Sequence, residues 1–323
     1  MKKIKLIEVV SDLGGKKAGA SIGMDAVRIA AYNSTKTKEF YTRFFENDLY
    51  TKINYAGNSY PLPYRYPFAK RIENIYPICQ QTCEEVSKSV LQNDFTIVIS
   101  GDHSIAAGTI AGIKHSDASK RIGVVWIDAH TDVHSPYTSY SGDMHGMPLG
   151  TAINDDNLEC KFNDIDAETI EMWKKMKDIG GTQEKINMAD VVYVAIRDYE
   201  QAEDYLIKKY NNKIYTIFDV RQLGAIEVAL KIIEKLEHCD IIYVSFDVDS
   251  MDPSVSVGTG TPVENGLFKY EAKELLKTLV GYQKVKCLEI SEINPLLDTE
   301  NRMAETVFSF MKSICNIVDI GQM

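Results

Sequence analysis

The sequence predicts an α/β fold with a mostly parallel central sheet. Two observations carry this. Short apolar runs recur along the chain and are nearly continuous rather than alternating, as in strands covered on both faces. Longer segments with the spacing of amphipathic helices lie between them. Repeated strand–loop–helix order builds parallel sheets. Counting strands leaves barrel and open sheet both standing, although the irregular strand spacing disfavours an eightfold barrel.

Taken in order, residues 5–10 form a first strand, 95–100 (FTIVIS) a second and 122–127 (IGVVWI) a third. Residues 191–196 (VVYVAI), 214–218 (IYTIF), 241–246 (IIYVSF) and 285–290 complete the set. Helices are expected at 82–91, 104–114, 201–208, 222–237, 267–279 and 302–318. Two segments break the rhythm. Residues 33–75 carry Tyr41, Tyr50, Tyr55, Tyr60, Tyr64 and Tyr66 together with Pro61, Pro63 and Pro67, and read as a long ordered loop or lid-like excursion. Residues 152–190 are polar, with one helical piece at 167–176. They read as an insertion between two strands, either a surface decoration or a support for the active site or a subunit contact. There is no internal repeat and no low-complexity linker, so residues 1–323 are expected to form one domain.

Composition narrows the function classes. The 323 residues include 36 Lys and Arg against 46 Asp and Glu, a formal charge of −10. A chain this acidic is unsuited to general nucleic-acid binding, which needs clustered bases on phosphates, or to an anionic membrane surface. Cys79, Cys83, Cys160, Cys239, Cys287 and Cys315 form neither a thiolate metal motif nor a disulfide framework. The apolar run after the basic N-terminus ends at Ser11-Asp12, and no stretch approaches the about 18 apolar residues of a membrane span. A cytoplasmic location is the default expectation.

The informative residues follow the predicted strands, where open α/β sheets place their ligands. Strand 95–100 runs into Gly101-Asp102-His103-Ser104, and strand 122–127 into Asp128-Ala129-His130-Thr131-Asp132. Strand 241–246 runs into Asp247-Val248-Asp249, and strand 285–290 into Ser291-Glu292-Ile293-Asn294-Pro295. In extended backbone, residues two apart share a face. Asp128, His130 and Asp132 can therefore aim at one point, as can Asp247 and Asp249. With His103 they make four carboxylates and two imidazoles. One hard dication seldom needs so many anionic ligands; two ions roughly 3.5 Å apart would share them. The N/O donor set suits Mn(II) or a related metal such as Co(II), and the lack of thiolates argues against structural zinc. An Asp after a strand is often only a helix cap, and Asp102 and Asp252 read as caps or supporting groups.

At these residues the sequence resembles the ureohydrolase family, which includes arginase, agmatinase and formimidoylglutamase. The matching elements are GDHS (101–104), DAHTD (128–132), HGMPL (145–149), SFDVDSMDP (245–253), GTGTP (258–262) and EINP (292–295), in family order. The resemblance is closest to the bacterial arginases. It implies an arginase-like three-layer α/β/α fold and two divalent ions per chain. One ion would use His103, Asp128, Asp132 and Asp247; the other would use Asp128, His130, Asp247 and Asp249. His145 resembles the family's mobile catalytic histidine. Glu292 resembles the carboxylate that holds the substrate guanidinium, and Asp249 would steady the nucleophile and the tetrahedral intermediate.

The far end of the substrate separates the family members. Ser141 falls at the arginase position that contacts the substrate carboxylate, and His134 stands where many arginases have Asn. Glu200 and Glu203 match acids that face the α-amino group, with Glu200 in place of the usual Asp. Thr261 matches a family Thr in the pocket. Ser100, Val255 and Val257 depart from the family pattern and read as packing changes. The resemblance thus implies hydrolysis of L-arginine to L-ornithine and urea by a metal-bridging hydroxide. Agmatinase and formimidoylglutamase are the alternatives, and a non-catalytic binding protein on the same scaffold is a remote one. The implied partner is a small cationic guanidino substrate, and a homo-oligomer is compatible with the sequence.

Overall fold

The computed structural model describes residues 3–36, 40, 42, 44, 49–54 and 64–321. Tyr41, Tyr55, Tyr60, Pro61 and Pro63, which the sequence assigned to the tyrosine-rich excursion, lie outside the described residues. The strands are β1 (Ile4–Val10), β2 (Tyr50–Asn54), β3 (Phe95–Ser100), β4 (Ile122–Ile127), β5 (Val191–Val194), β6 (Lys213–Tyr215), β7 (Ile241–Asp247) and β8 (Val285–Ser291). They form one sheet in the order β2-β1-β3-β8-β7-β4-β5-β6. Every neighbouring pair is parallel, and β2 and β6 are edges, so the sheet is open.

The near-continuous apolar runs are explained by two cores, one on each face. Alternate residues of a strand enter opposite cores: Leu6, Ile97, Val125 and Val244 join one, and Ile7, Val98, Val124 and Tyr243 the other. The first core is closed by helices Gly23–Thr35, Ala225–Lys235, Lys269–Gly281 and Arg302–Ile320. The second is closed mainly by helices Ile72–Leu91, Ala106–Ser116, Ala167–Lys177 and Gln201–Lys209. This is the three-layer α/β/α arrangement. Among the described residues no helix is long and apolar enough to cross a membrane.

Several boundaries differ from expectation for identifiable reasons. The segment 33–75 contributes an edge strand, β2, in register with β1 from Leu6↔Tyr50 to Val10↔Asn54. Helix Ile72–Leu91 starts ten residues earlier than expected and tolerates Pro77, because Ile72, Ile75, Ile78, Cys79, Cys83 and Val86 make one buried stripe. The run at 214–218 stops as a strand at Tyr215. There Thr216 and Asp219 form a capping box, with Thr216 Oγ1 accepting from the Asp219 N–H at 3.2 Å, and Ile217–Leu223 becomes helix. Gly224, at φ 91°, separates that helix from Ala225–Lys235, where the sequence suggested one continuous helix. Helix Gly23–Thr35 was not expected.

The strand order places the site. The chain leaves β3 and resumes at β4, three positions along the sheet, and β8 and β7 later fill the two places between. The loops carrying His103, Glu292, Asp247 and Asp128 therefore follow four adjacent strands at their C-terminal ends, the position at which such sheets bind ligands.

Candidate active site

The first ligand-bearing turn is shaped by its neighbours. At Gly101 a Cβ atom would lie 1.9 Å from the Ser11 carbonyl oxygen, so only glycine allows this close approach. Asp102 then caps the turn: its carboxylate accepts from the Ser104 N–H at 2.9 Å and the Gly14 N–H at 3.0 Å. His103 is thereby turned inward. Its ring stacks on Trp126 with centroids 4.2 Å apart, and its Nε2 lies 2.7 Å from Ser245 Oγ. Its Nδ1 faces Asp128 Oδ2 at 3.0 Å, Asp132 Oδ2 at 3.0 Å and Asp247 Oδ2 at 3.1 Å.

The DxHxD segment folds back instead of continuing straight. Asp128 Oδ1 accepts from the His130 N–H at 2.8 Å, and Asp132 takes a left-handed conformation at φ 50°. The bend returns Asp132 to His103 and sends His130 to the other side, 3.0 Å from Asp249 Oδ2 and 3.5 Å from Asp128 Oδ1. Asp247 accepts from the Asp249 N–H at 2.8 Å. Two donor groups result, His103–Asp128–Asp132 and Asp128–His130–Asp249, with Asp128 common to both. Asp247 stands on the His103 side.

This donor set fits two divalent cations. His103 Nδ1 and Asp128 Oδ2 are buried, yet neither has a hydrogen-bond partner. Burying such groups without a counter-charge is costly. Burial pushes Asp132 up to about 6, with the Asp128 charge adding to it, and likewise raises Asp247 and Asp249 beside other carboxylates. Burial works against Asp128 as well, but His103 and His130 outweigh it and hold Asp128 well below the usual carboxylate range. The cluster is short of positive charge, and its donors are the N/O type suited to Mn(II) and related ions.

Beside the cluster lies a cavity of about 350 Å³. His145, Glu292, His134, Ser141, Glu200, Glu203 and Thr261 all line it. Glu292 sits at φ 64°, an uncommon conformation for a non-glycine residue; its N–H donates to the Gly101 carbonyl at 2.9 Å. Its Oε1 accepts from the His103 N–H at 3.1 Å and lies 3.4 Å from His145 Nδ1. Burial would lower the His145 pKa, but the Glu292 carboxylate raises it to about 9. Thr261 Oγ1 donates to Asp249 Oδ2 at 3.0 Å.

At the opposite wall, Glu200 and Glu203 both reach His134, whose Nε2 is 3.3 and 3.4 Å from their Oε2 atoms. Burial works against the His134 charge, yet the two acids push its pKa up to about 10. The sequence had paired these acids with a substrate ammonium; the structure shows them already sharing an imidazole. Ser141 Oγ accepts from the Asp143 N–H at 3.0 Å.

The segment 152–190 contacts the loop that carries His134 and Ser141. Asn163 donates from Nδ2 to the Pro136 and Ser139 carbonyls at 3.0 and 2.7 Å, and Ser135 Oγ donates to the Asp156 carbonyl at 2.7 Å. Phe162 stacks on Tyr140 at 4.3 Å.

Lys16, Lys17, Asp143, Asp198 and Tyr199 also line the cavity and were not singled out from the sequence. Lys16 and Lys17 belong to the loop after β1. A signal was available, since the rule that pointed to the ends of four other strands applies equally to β1.

The arginase-family model matches residues 2–316. The chain belongs to the arginase family. It is accordingly a ureohydrolase. This arginase-family chain is similar to the arginase of Bacillus caldovelox, at 31% identity over 323 residues, covering 97% of this chain and 98% of that one. The solved structure of the Bacillus caldovelox enzyme superposes with a TM-score of 0.79. An arginase of Staphylococcus aureus is 32% identical, with 96% and 97% covered. Arginase of Entamoeba histolytica in complex with L-ornithine has a TM-score of 0.80 at 27% identity, covering 98% and 99%.

Proposed function

We propose that this chain hydrolyses L-arginine to L-ornithine and urea, using two Mn(II) ions. The observation that carries the reading is the position of Glu292, which shares one cavity with a double cluster of N/O donors. A carboxylate there can hold a guanidinium through paired charge-assisted hydrogen bonds and bring its carbon to the cluster.

His103, Asp128, Asp132 and Asp247 would hold one ion, and Asp128, His130, Asp247 and Asp249 the other. When bound, such ions act as Lewis acids and provide a hydroxide nucleophile at neutral pH. The remaining work falls to the chain. Glu292 orients the guanidinium. Asp249, steadied by Thr261, accepts a hydrogen bond from the nucleophile and directs its lone pair to the guanidinium carbon. His145 is kept protonated by Glu292 and delivers a proton to the departing amine nitrogen as the C–N bond breaks. His134, Ser141, Glu200 and Glu203 bind the α-carboxylate and α-ammonium end. Agmatine lacks the carboxylate, so this wall favours arginine.

The deciding experiment compares kcat/KM for L-arginine, agmatine and formimidoylglutamate with Mn(II)-loaded protein. Arginine is expected to be preferred; a clear preference for either other substrate overturns the assignment.

A further inference from the structure

Arginine brings a negative α-carboxylate as well as two cationic groups, and the cavity meets it mostly with acids. Eight carboxylates line the cavity, and Lys16 and Lys17 are the only lysine or arginine side chains among its described lining residues. His134 does not fill the need, because Glu200 and Glu203 already share its imidazole. A substrate carboxylate set among like charges requires a cation of its own.

Lys16 is placed to be that cation. It stands near the tip of the loop after β1, and this loop is held along its length. At its base, Asp12 Oδ2 accepts from the Gly19 N–H at 2.7 Å and from the Ser21 hydroxyl at 3.0 Å. The buried Arg71 donates from Nη1 to the Leu13 and Gly15 carbonyls at 2.7 and 3.0 Å. Asp102 accepts from the Gly14 N–H, and the Gly14 carbonyl accepts from the His145 N–H at 3.2 Å. Asn294 Nδ2 donates to the Ala18 carbonyl at 3.1 Å. The backbone under Lys16 is thus ordered before substrate arrives, which lowers the entropy cost of using its side chain.

The Lys16 charge is also unspent. Its ammonium lies 3.9 Å from Asp143 Oδ2, but Asp143 is already paired with Lys70 Nζ at 3.1 Å. The Lys16 side chain is 68% exposed, at the mouth of the cavity. The Asp143 N–H donates to Ser141 Oγ, so the neighbour that Lys16 faces is bonded to Ser141. We propose that Lys16 is a specificity-determining residue whose ammonium receives the α-carboxylate of arginine on the Ser141 side of the cavity. The proposal rests on the reading of the chain as an arginine hydrolase.

The test compares wild type, Lys16→Met, Lys16→Arg and Lys17→Met, all loaded with Mn(II). It measures kcat/KM for L-arginine and for agmatine, which lacks the carboxylate, and Kd for L-ornithine, which keeps it. Lys16→Met is expected to lower kcat/KM for arginine and weaken ornithine binding about fivefold, the scale of an exposed ion pair, while agmatine holds or improves. Lys16→Arg keeps the charge and should retain most of the wild-type preference. Lys17→Met removes the same charge from the same loop, so a long-range field effect would act alike in both methionine variants. Equal losses for arginine and agmatine overturn the proposal, as does an unchanged Kd for ornithine or an effect of Lys17→Met as large as that of Lys16→Met. A wild type that prefers agmatine overturns both this inference and the functional reading, whereas a wild type that prefers arginine by a margin that Lys16→Met preserves overturns this inference alone.

Discussion

Asn163 and Ser139 are joined behind the cavity wall: the Asn163 amide donates to the Ser139 carbonyl at 2.7 Å, from a side chain that is itself buried. The segment 152–190 thus reaches the loop that carries His134 and Ser141. Loop carbonyls in a buried position need such partners.

Asn163→Ala removes both donors from that loop. Each buried hydrogen bond is worth about 1 kcal/mol. The KM for arginine should rise by roughly fivefold to tenfold, with a smaller change in kcat, because Asn163 holds the loop at Pro136 and Ser139, beyond the cluster residues at 128–132. Steady-state kinetics check this; a fall in kcat at constant KM would show that the segment acts elsewhere.

Metal analysis of active protein should find two divalent ions per chain, and chelation should abolish activity. Asp128 is common to both donor groups, so Asp128→Asn should weaken both sites rather than one. At a free metal concentration of about 100 times Kd, binding should stabilise the fold by about 3 kcal/mol, visible as a higher melting temperature. One ion at saturation contradicts the binuclear reading.

His145→Ala should lower kcat by about 10²-fold or more, in line with loss of a general acid, and leave the metal content intact. Its Nδ1 lies 3.4 Å from Glu292, outside the two donor groups. An unchanged kcat at neutral pH would remove His145 from the mechanism.

His134→Ala should raise the KM for arginine more than that for agmatine, because it removes the group that sits between Glu200 and Glu203 and leaves both acids without it. Equal losses for the two substrates would show that His134 serves the fold rather than selection.

Lys185 provides a stability test far from the chemistry. Its ammonium is buried, donates to the Thr151 and Lys177 carbonyls, and burial pushes its pKa down to about 8 from about 10.5. Between these values the unfolded chain binds more protons than the folded one, so Lys185 makes stability rise with pH across that window. Below pH about 8 the penalty is fully present. The stability advantage of Lys185→Met over wild type should therefore shrink by about 3 kcal/mol between pH 7 and pH 10.5, measured by urea unfolding. Parallel profiles for the two proteins would rule out a depressed lysine.

The residues of the candidate metal cluster were legible as a group because their pattern is local. DAHTD follows, and SFDVD closes, a strand too apolar to tolerate unpaired charge, which marked these acids, although it is the bend after Asp128 and the turn after Asp247 that aim them. The sheet class was legible for the same reason, since burial on both faces leaves a continuous apolar run. Strand order, however, is a matter of pairing between distant segments. That order alone sets β3, β8, β7 and β4 side by side and turns four separate loops into one site. Only the tertiary structure decided that Glu200 and Glu203 meet at His134, that Asn163 holds the loop at Pro136 and Ser139, and that Ser100 and Tyr243 meet at Glu289. Each of these contacts joins residues on different elements, and no local periodicity encodes which buried partner a polar side chain will find.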